Sequence, residues 1–418
     1  MSLAAEALTA PPQLRECPGC GLFHALPVLQ PGRTAKCLRC PTTLLHTTTH
    51  PTEYSIALTV AALILLAVMC TTTLMSVQTS GISHSAGLFD GPAELVRRHM
   101  TALAAVVVFV TVAAPFSKLA GTLYVLLRMN ESEPPAHLRR VFALAEQLRP
   151  WSMIEVFVLG VFVAYTKLGD LVSITLDAGV YALLALTFVV IWADTALDRG
   201  AIWERLRSRV DPHLEASWQL HANKISCELC GLVTPLTEEE QRCPRCDSPL
   251  HQRKRDSIQR TWALVLAAAA LYVPANYFPV LTVEHLGAGA PSTIVGGVQE
   301  LMDTGMYPLA ALVFFASIAV PMLKLVGLVI MLVAAKTGHS GWLRDRTRLY
   351  HIVRWIGRWS MIDIFMESLL GALVQFGNVV TIEPGIGAVA FCAVVILTIF
   401  AAETFDPRLM WDASRTGA

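Results

Sequence analysis

Apolar runs of membrane length recur along the chain. Residues 56–77, 101–117, 178–193, 262–283 and 385–402 each lack a charged side chain over roughly 16 to 22 positions, and with its flanks each is long enough to cross a bilayer as a helix. The polar and charged residues fall between these runs. This pattern predicts an α-helical polytopic membrane protein, and the composition points the same way, since 54% of the 418 residues are hydrophobic and 15% charged. The formal net charge is zero, so overall charge makes no case for a nucleic-acid partner.

Residues 1–50 are charged and rich in cysteine, without the basic start and short apolar core of a secretory signal, so the first span is expected to stay in the protein. If every second loop faces the cytoplasm, that side collects Arg139, Arg140, Arg149 and the segments 199–255 and 336–358, whereas 282–306 holds no Lys or Arg. The excess of basic residues places both termini in the cytoplasm. Arg97 and Arg98, on the outer side, are the exception.

The chain repeats itself at an offset of about 206 to 210 residues. Cys17-Pro-Gly-Cys20 is answered by Cys227-Glu-Leu-Cys230, and Cys37 with Cys40 by Cys243 with Cys246. Pro115-Phe-Ser-Lys118-Leu matches Pro321-Met-Leu-Lys324-Leu, and Trp151-Ser-Met-Ile-Glu155 matches Trp359-Ser-Met-Ile-Asp363. Lys167-Leu-Gly-Asp170 aligns with Gln375-Phe-Gly-Asn378, and Ala193-Asp194-Thr195 with Ala402-Glu403-Thr404. About four spans per copy would keep the copies in the same orientation, as parallel repeats. The expected organisation is a ribbon at 1–50, a transmembrane repeat at 51–200, a linker with the second ribbon at 201–257, and the second repeat with its tail at 258–418.

The spacings C-x2-C-x16-C-x2-C and C-x2-C-x12-C-x2-C are those of small β zinc ribbons, in which two knuckles supply four thiolates to one tetrahedral ion. A reducing cytoplasmic face argues against disulfides. Two structural zinc ions are expected, although the C-P-x-C knuckle also suits a single iron. His24, His46 and His251 lie near the clusters as alternative ligands or as ordinary surface residues. Cys70 and Cys392 fall inside apolar runs and read as small core residues.

Ionisable groups inside a span usually face a bundle interior or a water-filled cavity. Lys118 and Lys324 each follow a proline by three positions, so the carbonyls of Thr111 and Ser317 are freed and kink, hydroxyl and ammonium share roughly one helix face. Snorkelling of the lysines toward the cytoplasm is the alternative. Glu155 and Asp363 either pair with these lysines or lie at headgroup depth, while Asp194 and Glu403 read as solvated caps. Ser360 and Thr398 are hydroxyls in apolar surroundings that could join a relay. Lys167 and Asp170, one turn apart at the outer end, are either an exposed ion pair or titratable groups that the second copy lacks. Asn276, between Pro274 and Pro279, marks a break near the outer end of its helix and a cavity beside it.

Taken together, the paired ribbons, Pro-x-x-Lys-Leu, Trp-Ser-Met-Ile-Glu/Asp, Lys-Leu-x-Asp-Leu, Pro-Ala-Asn and the tail Phe405-Asp-Pro-Arg-Leu-Met-Trp411-Asp resemble the paraquat-inducible protein A family over nearly the whole chain. That family includes the inner-membrane partner of the lipophilic envelope-spanning tunnel. The resemblance implies a Gram-negative inner-membrane protein that works with a periplasm-spanning MCE-domain partner to move phospholipid between membranes, and is not an enzyme. No G-x-x-x-x-G-K-[ST] loop is present. If transport is driven, a proton path would use Lys167 and Asp170 outside and Lys324, Ser317, Ser360 and Thr398 inside, with Pro321, Asp363, Lys118, Glu155 and Asn276 as further pathway residues. The rival readings are a scaffold that anchors and gates the tunnel without moving lipid, a zinc or redox sensor, and a membrane enzyme or redox component using the metal sites.

Overall fold

The computed structural model describes residues 13–50, 52–79, 82–131, 135, 137–169, 173–206, 221, 223–236, 241–285, 288–338, 341–373 and 380–416. The chain opens with two antiparallel hairpins, β1 (Gln13–Glu16) with β2 (Phe23–Leu26) and β3 (Thr34–Lys36) with β4 (Thr43–His46). Helix α1 (Thr52–Thr71) follows, then the hairpin β5 (Thr73–Thr79) and β6 (Ile82–Gly87), the short α2 (Asp90–Arg97), and the long α3 (Thr101–Arg128). After α3 come α4 (His137–Leu148), a 3-10 turn at Arg149–Trp151, α5 (Ile154–Gly169), β7 (Ser173–Leu176), α6 (Ala178–Ala196) and α7 (Arg199–Arg205).

The same order then recurs. A second hairpin, β8 (Lys224–Ser226) with β9 (Val233–Pro235), precedes α8 (Ser257–Tyr277), β10 (Leu281–His285), β11 (Ala288–Ser292), α9 (Ile294–Asp303) and α10 (Tyr307–Thr337). Then follow α11 (Leu343–Ile356), a 3-10 turn at Gly357–Met361, α12 (Ile362–Leu373), β12 (Val380–Pro384), α13 (Ile386–Thr404) and the tail helix α14 (Arg408–Thr416). The fold is therefore an α-helical bundle of two tandem repeats, each introduced by a four-cysteine β ribbon. Among the described residues, seven helices are long and apolar enough to cross a membrane. Helix α12, of 12 residues, is shorter than these.

Each repeat carries a three-stranded antiparallel sheet at the end away from the ribbons, ordered β6-β5-β7 in the first and β11-β10-β12 in the second. These strands use the backbone groups that follow α1 and α8, so the chain leaves each first span with its hydrogen bonds met. In the second repeat this decides where α8 stops. The helix runs through Pro274 and ends at Phe278, before Pro279, so the expected break is a helix end feeding a strand.

Both long helices contain one π turn at the same repeat position, Phe109–Ala113 and Phe315–Ala319. Pro115 and Pro321 lie just beyond and donate no hydrogen bond, and the N–H of Ala114 and of Val320 reaches back five residues to Phe109 O and Phe315 O. The kink expected from the prolines is thus taken up as a widened turn.

The two repeats share one apolar core. Helix α12 is buried on nearly every side, and its Phe365 meets Phe157 of α5 edge to face at 5.4 Å between ring centres. Gly160 and Gly91 permit this seam. A Cβ on Gly160 would lie 2.7 Å from the Phe365 Cβ, and one on Gly91 2.7 Å from the Ser368 carbonyl oxygen.

Below the bundle the ribbons cross over. The second ribbon's Cys227, Cys230, Cys243 and Cys246 pack with Leu126, Phe142 and Trp203 of the first repeat. The first ribbon's Cys17, Cys20, Cys37 and Cys40 pack with Leu343 and Trp411 of the second. Arg344 Nε donates to Arg39 O at 3.0 Å, and Arg140 Nη2 to Asp247 Oδ2 at 2.8 Å, so hydrogen bonds follow the same exchange.

Replacing Gly160 by Val should lower the denaturation midpoint in detergent, at a cost of about 1–3 kcal/mol for overpacking a closed seam. Gly371→Ala on α12, where a Cβ meets nothing within 4 Å, is the control and should leave the midpoint unchanged or slightly raised. Equal midpoints for Gly160→Val and the native chain would show that this contact does not hold the repeats together.

Candidate metal centres and buried lysine sites

Each ribbon brings its four cysteines together at the turns between strands. Cys17, Cys20, Cys37 and Cys40 form one buried group and Cys227, Cys230, Cys243 and Cys246 the other, with all sulfurs of a group within 4.8 Å of one another. Cys17 to Cys40 is 3.4 Å, Cys20 to Cys37 3.6 Å, Cys227 to Cys246 3.4 Å and Cys230 to Cys243 3.5 Å. None is in a disulfide. Four thiolates about 2.3 Å from a tetrahedral ion lie about 3.8 Å apart, so the donor set and spacing fit one ion per ribbon. The tight turns of the knuckles come from Gly21 and Gly231, both at positive φ.

Groups around the sulfurs complete each site. His24 is buried, and its Nε2 lies 3.2 Å from Cys37 Sγ, so it is neither a surface residue nor a needed ligand but a hydrogen-bond partner of a thiolate. In the second ribbon, Ser248 Oγ lies 3.2 Å from Cys227 Sγ and 2.9 Å from Cys246 Sγ. His46 instead bonds Thr34, and His251 is exposed.

Arg408 of α14 ties the two ribbons to the second repeat. Its guanidinium donates to Glu16, next to Cys17, at 3.0 Å and to Glu228, between Cys227 and Cys230. Asp406 Oδ1 accepts the Arg408 backbone N–H at 3.0 Å. Burial raises the Glu16 carboxyl above its ordinary range, and Arg408 and Arg253 pull it back. One turn further along α14, Trp411 Nε1 donates to Thr347 at 3.1 Å, and the Arg39 guanidinium stacks 4.2 Å over the indole ring. Thr42 Oγ1 lies 3.0 Å from His351 Nε2, whose imidazole burial holds below its usual value.

The two lysines differ in their partners. Lys118 Nζ lies 2.7 Å from Asp194 Oδ2, with Arg199 and Arg149 at 3.8 and 3.9 Å from that carboxylate. Asp194 is therefore the lysine's counter-ion and not a solvated cap. Lys324 is 2% exposed and donates to three neutral oxygens: Thr398 Oγ1 at 3.0 Å, Ser360 Oγ at 3.3 Å and the Gly357 carbonyl at 3.3 Å. The Thr398 hydroxyl donates its own hydrogen bond to Val395 O at 2.9 Å, which leaves its lone pairs for the ammonium. Glu403, the repeat counterpart of Asp194, is instead bound by Arg354 through contacts of 3.2 and 3.4 Å.

Other expected pathway residues lie apart from Lys324. Glu155 pairs across the repeats with Arg358 at 3.5 Å. Ser317 is buried within the π turn and lines a separate small cavity with Asp363 and Glu367, one turn apart on α12. Asn276 Nδ2 donates to Tyr272 O of its own helix at 2.9 Å, which occupies it within α8. Asp170, Gln375 and Asn378 lie outside the described residues, as does the side chain of Lys167. Sequence reasoning passed over Glu367, an acid inside an apolar stretch, and Arg408, whose burial depends on two distant ribbons. The first was detectable as an ionisable residue in a span; the second had no local signal.

The profile of the family described as Paraquat-inducible protein A matches residues 52–207 and 258–415. The chain is 34% identical over 405 residues to the intermembrane transport protein PqiA of Escherichia coli K12, covering 95% of each chain. It is 29% identical over 412 residues to the lipophilic envelope-spanning tunnel protein A of the same organism, covering 96% of this chain and 92% of that one. A probable intermembrane transport protein of Haemophilus influenzae is 27% identical over 416 residues, with 97% of each chain covered. No solved structure matches significantly.

Elemental analysis of protein purified without chelator should find two ions per chain, and Cys230→Ser should reduce this to one while the helical circular dichroism persists. Metal-free native protein would defeat the assignment. Arg408→Met leaves the Glu16 side chain buried beside fewer positive charges and Glu228 without its guanidinium partner, so it should cost about 3–5 kcal/mol and speed metal loss to a chelator from both ribbons. Loss from only one ribbon would show that they are not joined through this residue.

Proposed function

From its membership of the paraquat-inducible protein A family, we propose that the chain is the inner-membrane component of an MCE-type lipid transport system. It would load phospholipid into, or unload it from, a partner that spans the periplasm. The relatives' names, an intermembrane transport protein and an envelope-spanning tunnel protein, support transport and not enzymatic catalysis. In this reading both termini and both ribbons face the cytoplasm, the three-stranded sheets face the periplasmic partner, and the four-segment division at residues 50, 200 and 257 separates ribbons from membrane units. The ribbon ions are zinc in a structural role, because four thiolates leave no open coordination position.

The observation that carries the proposal is Lys324. An ammonium in the apolar core, held by three neutral oxygens with no carboxylate ion-paired to it among the described residues, is costly. Such a group fits a transport site better than a structural ion pair, which the first repeat has at Lys118. It can anchor an anionic phospholipid, and it is also the group through which we would couple transport to the proton gradient, with Ser360 and Thr398 beside it. Ser317, Asp363, Pro321, Asn276, Glu155, Lys118, Lys167 and Asp170 stand as secondary pathway positions. The second reading is a scaffold that anchors and gates the tunnel, in which Lys324 serves packing alone.

Mass spectrometry of lipid retained by the detergent-purified protein separates these readings. The native chain should carry roughly stoichiometric phospholipid, and Lys324→Ala, once shown to fold, should lose it. Equal background lipid in both would remove the site and favour the scaffold.

A further inference from the structure

Between the repeats on the ribbon side lies a cavity of about 340 Å³ that the lysine site does not use. Arg149, Arg354 and Arg358 line it, against one carboxylate, Glu403, which Arg354 already engages with two contacts. Arg149 and Arg358 are held only at long range, 3.9 Å from Asp194 and 3.5 Å from Glu155, so most of the five N–H donors on each remain for another acceptor. Guanidinium groups gathered in this way match phosphate oxygens in charge and in planar geometry.

The depth of the cavity is marked by aromatic rings. Trp355 lines it and packs against Trp359 at 5.7 Å, while Trp151, two residues from Arg149, contacts Phe400 at 5.4 Å and Phe109 at 6.0 Å. Indoles gather at headgroup level in membrane proteins. Trp355 is 59% exposed and Phe400 43% exposed, on helices that flank the cavity, so acyl chains could lie against apolar protein while the headgroup enters. Gly357, another lining residue, gives its carbonyl to Lys324 and lies 3.4 Å, at the position of an added Cβ, from the Lys324 Cε. The cavity and the buried lysine are separated by a single backbone segment.

We infer that this cavity is a binding site for the phosphate of a phospholipid headgroup drawn from the leaflet on the ribbon side. Arg149 and Arg358 grip the phosphate, and Arg354 is held in place by Glu403. The inference deepens the transport reading and rests on it for the identity of the lipid. It adds a second contact point, on the cytoplasmic leaflet if the ribbons are cytoplasmic, distinct from Lys324.

The test is equilibrium binding of dihexanoyl phosphatidylglycerol, below its micelle concentration, to the full chain in a non-ionic detergent. Dihexanoylglycerol and inorganic phosphate serve as separate arms. Arg149→Gln/Arg358→Gln should weaken phosphatidylglycerol binding on the order of 10- to 100-fold, and Arg358→Gln alone about tenfold, as for lost charge-assisted contacts. The phosphate-free lipid should bind all variants alike, and inorganic phosphate should bind the native chain far more weakly than the phospholipid. Phospholipid retained through purification should persist in the folded arginine variants and be lost in Lys324→Ala, so a failed lysine site and a failed arginine site give different results. If the double variant does not fold, the single Arg358→Gln decides. Phosphatidylglycerol affinity within twofold of native in the folded variant overturns the site. Inorganic phosphate binding as tightly as the phospholipid, and lost with the same arginines, overturns the lipid assignment.

Discussion

Two buried ammonium groups organise the membrane part of this chain. Lys118 and Lys324 occupy the same position in their repeats, three residues after a proline that follows a π turn. An unsatisfied charge at such depth costs several kcal/mol, so the neighbouring helices must present oxygens to it. In the first repeat α6 supplies a carboxylate, Asp194. In the second, α13 supplies the Thr398 hydroxyl, while the turn before α12 supplies Ser360 and the Gly357 carbonyl. The same scaffold thus builds a neutralised pair on one side and an ammonium among neutral oxygens on the other.

This asymmetry spreads outward. Because Lys324 does not use Glu403, that carboxylate is available to Arg354, and the cationic cavity between the repeats gains a fixed wall. Because Glu155 meets Arg358 and not Lys118, an ion pair crosses the seam that Gly160, Phe157 and Phe365 close in the apolar layer. The two acids of α12, Asp363 and Glu367, line a small cavity within the protein beside Ser317.

On the ribbon side the ordering force is different. Each ribbon has too small a core to be fixed without its ion, and each leans on the other repeat's helices. The tail helix braces this exchange, because the Arg408 guanidinium donates to Glu16 of one ribbon and to Glu228 of the other. The two cysteine clusters and the second membrane unit are thereby joined through one buried guanidinium and the Trp411 ring beside it.

The residues themselves determined the class of the molecule: the apolar runs set the spans, the cysteine spacing set the two four-cysteine clusters, and the duplicated motifs set the repeat. These are local properties, readable because hydrophobic period and ligand spacing act within one segment. Lys324 with Ser360 and Thr398 was also legible, since buried polar groups in a span have few places to go. Tertiary structure alone decided that Lys118 takes Asp194, that Glu155 takes Arg358, that Arg408 joins both ribbons, and that each ribbon packs under the opposite repeat. The physical reason is that ion-pair choice and docking depend on which of several chemically equivalent partners is brought within about 4 Å when the helices close, and the linear order of a tandem repeat offers each group two such partners.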